Sequence, residues 1–127
     1  MRLVVVSEGF VTFSVQFKYL GSWILFSLCN NYDVGRRIGT SNASMGALEK
    51  LWRDHHVDMY YKYMIFRAIP CNRLLWGCES WALRQSLLKK IEVFLHFSIR
   101  RILGISMGNV RERHIKNSQI CTMFYNI

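Results

Sequence analysis

Four side chains in the middle of the chain belong to residue types that bind metal ions, namely His55, His56, Cys71 and Cys78. Imidazole and thiolate groups are the usual zinc ligands. Adjacent histidine side chains diverge, however, and the spacing of Cys71 and Cys78 does not match a structural zinc motif. We therefore interpret these residues as two loop histidines and two core thiols, and we predict no metal site.

The carboxylates and nucleophiles of the sequence do not match a known catalytic pattern either. The acidic residues are Asp33, Asp54, Asp58 and five glutamates. None forms the adjacent acidic pair with which polymerases hold two magnesium ions. Cysteines and histidines are present, but no nucleophile elbow accompanies them, and Gly35 to Gly39 lacks a phosphate-loop ending. We predict no catalytic residue and no cofactor.

Basic residues give the clearest chemical signal. The 127-residue chain has 17 Lys and Arg against 8 Asp and Glu, a formal charge of +9. Residues 84–116 carry eight of those cations against Glu92 and Glu112. Such clustering is typical of a surface that contacts phosphates, although a solvated helix face gives the same pattern. The predicted nucleic-acid-binding residues are Arg84, Lys89, Lys90, Arg100 and Arg101.

The elements that would position these residues begin with β-strands. Leu3–Val6 is a β-branched run, and Phe10–Phe17 alternates apolar and polar residues, which predicts a strand with one buried face. That face consists of Val11, Phe13, Val15 and Phe17. Trp23–Leu28 is predicted to be a further strand. The β segment therefore covers about residues 3–28 and is antiparallel.

Helical periodicity begins after residue 33. The pattern predicts helices over Val34–Arg53, over Asp58–Ile69, where Pro70 ends or kinks the helix, and over Gln85–Leu103, where Gly104 provides a C-cap. A short helix near Asn117–Phe124 is also predicted. The fold class is therefore α+β, with three to four helices over about residues 34–104. The predicted division is 1–28, 34–106 and a basic tail at 107–127.

The cysteine spacing and the hydropathy of the chain indicate the cellular compartment in which it is expected to occur. The four cysteines show no Cys-x-x-Cys pair, which favours free thiols in a reducing, intracellular compartment, with nucleus and cytoplasm both open. The apolar stretch Phe10–Cys29 is interrupted by Gln16, Lys18 and Gly21, so we expect no membrane span.

The segment Arg73–Trp81 has two tryptophans around a glycine. We predict a structural junction between helices, in which Trp76 and Trp81 pack, Gly77 allows close approach and Cys78 fills a small space. Its Leu-Leu-Trp-Gly-Cys-Glu-Ser-Trp run resembles a Leu-Leu-Tyr-Gly-Cys-Glu-Thr-Trp run in the reverse transcriptases of non-LTR (LINE-like) retroelements. Three further segments resemble that family in the same order: Phe17–Ser22, Arg36 to Trp52, and Arg100–Ile105.

The resemblance covers about residues 17–106 and implies a C-terminal fragment of an RNA-directed DNA polymerase. It implies palm-edge strands at 1–28, a thumb-like bundle at 34–106, and primer-grip-like residues Tyr19, Leu20 and Gly21. The family's catalytic aspartates lie upstream of such a fragment, so magnesium is implied only for the full-length parent enzyme, and the fragment alone is expected to be inactive. The apolar stretch Trp23–Cys29 departs from the family, which has a polar turn there.

The sequence is consistent with three hypotheses about function. In the first, the fragment binds a template–primer duplex through its basic helices. In the second, it is a protein-interaction module that uses exposed strand edges, which also predicts self-association through unpaired strands. In the third, it is a decayed retroelement remnant without a function.

Overall fold

The computed structural model describes residues 3–25, 30–82 and 84–126, in which strands precede helices. The strands are β1 (Leu3–Val6), β2 (Gly9–Thr12), β3 (Gln16–Tyr19) and β4 (Ser22–Leu25). The α-helices are α1 (Asn31–Ala47), α2 (Glu49–Arg53), α3 (Met59–Phe66), α4 (Asn72–Leu75), α5 (Gln85–Leu103), α6 (Met107–Arg113) and α7 (Asn117–Tyr125). The predicted α+β class is confirmed. Residues 26–28 of the predicted strand Trp23–Leu28 lie outside the described residues.

The strands form two separate antiparallel hairpins, β1–β2 and β3–β4. In the second hairpin Tyr19 lies opposite Ser22, so Leu20 and Gly21 form a two-residue turn. Both turn residues have positive φ, at 46° and 87°. A type I′ turn requires positive φ at both positions because its twist matches that of the strands. The residues between the predicted strands Phe10–Phe17 and Trp23–Leu28 therefore include the turn of a hairpin.

The predicted single strand Phe10–Phe17 is wrong in two respects. The chain leaves the β conformation after Thr12 and resumes it at Gln16. The face predicted to be buried is exposed, with Val11, Phe13, Val15 and Phe17 between 50% and 76% accessible. Alternation shows which residues share a face of a strand, but it does not supply a layer to cover that face.

The predicted helix Val34–Arg53 is divided into α1 and α2 at Leu48. The indole Nε1 of Trp52 donates a hydrogen bond of 3.0 Å to the backbone oxygen of Met45. This carbonyl is thus satisfied by a side chain at the point where the helix is interrupted. Both Trp52 and Met45 are buried and belong to the core.

Pro70 lies inside a helical segment rather than at its end. A π-helical turn, Arg67–Cys71, joins α3 to α4. Proline cannot donate a backbone hydrogen bond, and wide turns of this kind accommodate such a defect. Ser41 on α1 donates a hydrogen bond of 2.9 Å to the Pro70 carbonyl, which fixes the turn against α1.

Helix α5 has the bounds that the sequence predicts, and Gly104 ends it with φ 69°. Its buried face includes Leu87, whereas Leu88 is exposed. In the tail, α7 matches the predicted short helix, whereas α6 was not predicted. Ser106 caps α6 by accepting a hydrogen bond of 3.2 Å from the Asn109 N–H.

The core lies among the helices. Helix α5 contacts α1, α2 and α7, and α1 also contacts α4 and strand β4. The core residues are Val34, Met45, Trp52, Phe66, Leu74, Trp81, Leu87, Ile91, Phe94, Ile99, Ile102, Ile120 and Phe124. Among the helices that the structure describes, none combines the length and the apolar composition needed to cross a membrane.

Candidate nucleic-acid interface

A buried ion pair between Asp33 and Arg37 joins the second hairpin to the helices. The residues are four apart on α1, and the Arg37 Nε lies 3.3 Å from the Asp33 Oδ2. Asp33 also accepts hydrogen bonds from the Trp23 backbone N–H at 2.9 Å and from the Trp81 indole at 3.0 Å. The carboxylate therefore has three donors from three parts of the chain, which offsets the cost of its burial.

Arg37 extends this network to the hairpin turn. Its Nη2 donates to the Gly21 carbonyl at 3.1 Å and to the Ser22 hydroxyl at 2.9 Å. Its Nη1 donates to the Arg73 carbonyl at 3.4 Å. One guanidinium thus holds the β3–β4 turn against the end of the α4 region, and its planar set of donors suits this task.

Gly77 allows the same close approach from the other side. It has φ 73°, and a Cβ added to it would lie 3.2 Å from the Ser22 hydroxyl. Trp81 is 8% exposed and lies in the core beside this contact. The predicted packing role of Trp76 is wrong, because 59% of its surface is exposed. Cys78 is only half-buried.

The primer-grip-like residues Tyr19, Leu20 and Gly21 are at the tip of the second hairpin. Tyr19 and Leu20 are exposed, and Leu20 is 80% accessible. The network of Asp33 and Arg37 fixes the turn through backbone contacts, so the side chains of Tyr19 and Leu20 remain at the surface. The structure therefore shows that Tyr19 and Leu20 are accessible, and their contact with a primer stays a prediction.

The basic residues of α5 divide into two groups. Lys89, Lys90 and Arg100 line a groove of about 670 Å³ between α1 and α5. Arg101 instead forms an ion pair with Glu49 on α2. A phosphate that approaches Arg101 would compete with Glu49 for the guanidinium, so the contact of Arg101 with phosphate stays a prediction. Arg84 is exposed at the N-cap of α5 and does not line the groove.

The groove has an apolar floor. Val93 and Phe97 lie on the exposed side of α5 and are 58% and 52% accessible. On the opposite wall, α1 contributes Gly35, Ile38 and Asn42. Lys89 and Arg100 are separated by about 16 Å along the helix axis, which equals about five base-pair steps of a duplex.

The cysteines in the described residues are free thiols. Cys71, Cys78 and Cys121 are all half-buried, and Cys29 lies outside the described residues. Burial raises the pKa of the Cys71 thiol to about 11, although the Arg67 guanidinium opposes this shift. Partial burial also raises the pKa of Tyr125. The raised pKa disfavours the reactive thiolate of Cys71 at neutral pH.

His55 and His56 are exposed in the loop after α2. Within residues 3–25, 30–82 and 84–126, no three His, Cys, Asp or Glu side chains come close enough together to hold a metal ion.

The buried network was not found by the sequence reasoning. In the sequence, Asp33 is one of three aspartates and Arg37 is one of 17 basic residues, and no motif singles out either of them. A usable signal was present, because Asp and Arg four residues apart lie on one helix face. The contact of these two residues with the hairpin depends on tertiary packing, and the spacing of residues along one helix does not predict it.

Comparisons with protein-family models, curated proteins and solved structures found no match to this chain.

Proposed function

We propose that this chain is a palm-edge and thumb-like piece of a non-LTR retroelement reverse transcriptase, and that it binds a nucleic-acid duplex through the groove between α1 and α5. Four segments that resemble the family support the assignment, and the cation-lined groove supports the mode of binding. The proposed role is to hold a template–primer duplex. RNA-directed DNA synthesis is assigned only to a full-length parent enzyme.

The observation that carries the proposal is the arrangement of Lys89, Lys90 and Arg100 around one groove. Three cations around one groove can contact phosphates of one strand, and such contacts position a duplex without reading its bases. Gly35 on the facing wall carries no Cβ, which leaves room for a nucleic-acid backbone to approach. The exposed Phe97 and Val93 can cover part of a sugar edge.

The test is the salt dependence of binding to a fluorescently labelled RNA–DNA hybrid duplex, measured by anisotropy. Each phosphate contact contributes about 0.9 to the slope of log affinity against log salt. The double variant Lys89→Gln/Lys90→Gln should lower that slope by about 2. Undetectable binding at low salt would contradict the proposal.

A control variant separates this site from the general charge of the protein. Lys50→Gln/Arg67→Gln removes the same charge from exposed positions that do not line the groove. It should leave the slope close to that of the unaltered chain. An equal loss in both double variants would indicate attraction by net charge alone.

A second candidate function is a protein-interaction module on the hairpins. The exposure of Phe13, Val15 and Phe17 favours it, because contiguous exposed apolar side chains mark interaction sites. Association of this kind depends on apolar burial, so it should persist at salt concentrations that abolish phosphate binding.

A further inference from the structure

Trp76 forms a wall shared by two clefts between the second hairpin and the end of α4. Its backbone is extended, with φ −60° and ψ 120°, and Gly77 follows in the left-handed conformation. A Cβ placed on Gly21 would lie 3.9 Å from the Trp76 indole nitrogen. The indole is therefore supported along one edge by the hairpin turn, while 59% of its surface faces solvent.

The first cleft is wide and contains aromatic and polar groups. Its volume is about 1050 Å³, and Tyr19, Leu20, Trp76 and Ser80 contribute to its lining. The carboxylate of Glu79 also lines this cleft, so the phosphates are assigned to the cationic second cleft and not to this one. Tyr19 is also exposed, so two aromatic side chains from different elements border the same space. Exposed aromatic side chains are platforms on which unpaired bases stack, regardless of base identity.

The second cleft, of about 310 Å³, is cationic. Lys18, Arg36 and Arg73 line it, next to the same indole. The Arg36 guanidinium lies 5.6 Å from the centroid of the Trp23 ring, and Arg73 donates a hydrogen bond of 2.9 Å to the Ser44 hydroxyl. Both arginines are thus oriented before any ligand arrives.

Charge in this second cleft is not cancelled by the neighbouring carboxylate. Asp33 also lines it, but its charge is paired with Arg37 in the buried network. Lys18, Arg36 and Arg73 therefore remain as a local excess of positive charge.

We propose that these two clefts form a binding site for single-stranded nucleic acid, in which an unpaired base stacks on Trp76 and the adjoining phosphates contact Lys18, Arg36 and Arg73. An aromatic platform beside fixed cations matches the two parts of a nucleotide. A duplex satisfies this site poorly, because its bases are stacked on one another and cannot offer a face to the indole. The site uses none of the residues Lys89, Lys90 or Arg100, so it is independent of the duplex groove.

The test is the binding of a labelled twelve-residue oligothymidylate, followed by anisotropy at low salt. Trp76→Ala should weaken binding about tenfold, the loss expected from one stacked base. Trp76→Phe should retain most of the affinity because it keeps an aromatic face. Tyr61→Ala removes a similarly exposed aromatic from α3 and should have no effect.

The cations are tested separately. Arg36→Gln/Arg73→Gln should reduce the salt slope for the oligonucleotide by about 1.4, since each of the two phosphate contacts contributes about 0.7 for a single strand. Lys50→Gln/Arg67→Gln is the matched control and should not reduce it. Circular dichroism and melting of each variant establish that the fold is retained before affinities are compared.

Outcomes distinguish this site from the duplex groove. Trp76→Ala should keep the affinity for the hybrid duplex, and Lys89→Gln/Lys90→Gln should keep the affinity for the oligonucleotide. The inference is overturned if the unaltered chain does not bind the oligonucleotide, if folded Trp76→Ala binds it normally, or if Trp76→Ala weakens duplex and single strand equally. Loss of duplex binding alone would reject the proposed function and leave this inference standing.

Discussion

Asp33 joins the second hairpin to the helices through hydrogen bonds to its side chain. Its two carboxylate oxygens accept three hydrogen bonds, from Trp23, Arg37 and Trp81. Each donor belongs to a different part of the chain, so the carboxylate connects β4, α1 and the segment before α5. Buried charges are costly unless they are fully paired, and this one is.

The substitution Asp33→Asn should destabilise the fold by about 3 kcal/mol. The amide would place an N–H₂ group toward either the Trp23 N–H or the Arg37 and Trp81 donors, and Arg37 would lose its counter-charge. Chemical denaturation measures this change in the free energy of unfolding.

Asp58→Asn provides the matched control for that substitution. Asp58 is exposed and its side chain makes no cap hydrogen bond to α3. The free energy of unfolding should change by less than about 0.5 kcal/mol. Equal effects of the two substitutions would show that the Asp33 network contributes little to the fold.

At the scale of elements, the β3–β4 turn has a strained residue. Leu20 adopts φ 46°, a region that leucine enters at a cost of about 1 kcal/mol, whereas asparagine enters it readily. Leu20→Asn creates the Asn-Gly pair preferred in type I′ turns and should stabilise the hairpin by up to about 1 kcal/mol. Slower amide hydrogen exchange in β3 and β4, together with a higher melting temperature, would measure the gain.

Gly21→Ala gives the opposite test of the turn geometry. Alanine at φ 87° is strained, and its Cβ would lie 3.9 Å from the Trp76 indole nitrogen. Exchange in β3 and β4 should become faster. If Leu20→Asn speeds exchange or Gly21→Ala slows it, the turn is not the type I′ hairpin described.

Element bounds were predictable where several local signals agree. Helix α5 has an apolar stripe, basic residues in its last turn and a left-handed glycine after it, and its predicted bounds are correct. Local propensity, dipole and cap all favour the same helix, so packing did not need to override them. The α1–α2 division instead depends on the Trp52 side chain reaching Met45, which is a tertiary contact.

The candidate site was only partly predictable for the same reason. Lys89 and Arg100 lie on one helix face by spacing alone, because they are separated by about three helical turns. Lys90 lies about 100° away around the helix and still lines the same groove. The engagement of Arg101 by Glu49 comes from a different helix, and helical spacing does not encode it. Likewise, two tryptophans five residues apart look alike in sequence, yet Gly77 between them turns Trp76 to solvent and leaves Trp81 in the core.

At the scale of the whole molecule, exposed apolar side chains occur both in the cationic groove of α5 and in the segment between β2 and β3. The groove of α5 combines charge with a narrow apolar floor, whereas the segment around Phe13 and Val15 is apolar and exposed. Exposed hairpins with free edges promote pairing between chains. The repulsion expected from a net charge of +9 opposes such pairing, and added salt weakens that repulsion.

We therefore predict self-association through the hairpins that strengthens as salt is raised. Phe13→Lys/Val15→Lys adds charge between β2 and β3 without changing a paired residue, and it should weaken association at least tenfold, because burial of each side chain contributes about 2 kcal/mol. Sedimentation equilibrium over a range of protein concentrations measures the constant. Val93→Lys/Phe97→Lys adds the same charge at similarly exposed positions on α5 and should leave association nearly unchanged. Equal weakening by both variants would mean that net charge, rather than the hairpin surface, controls association.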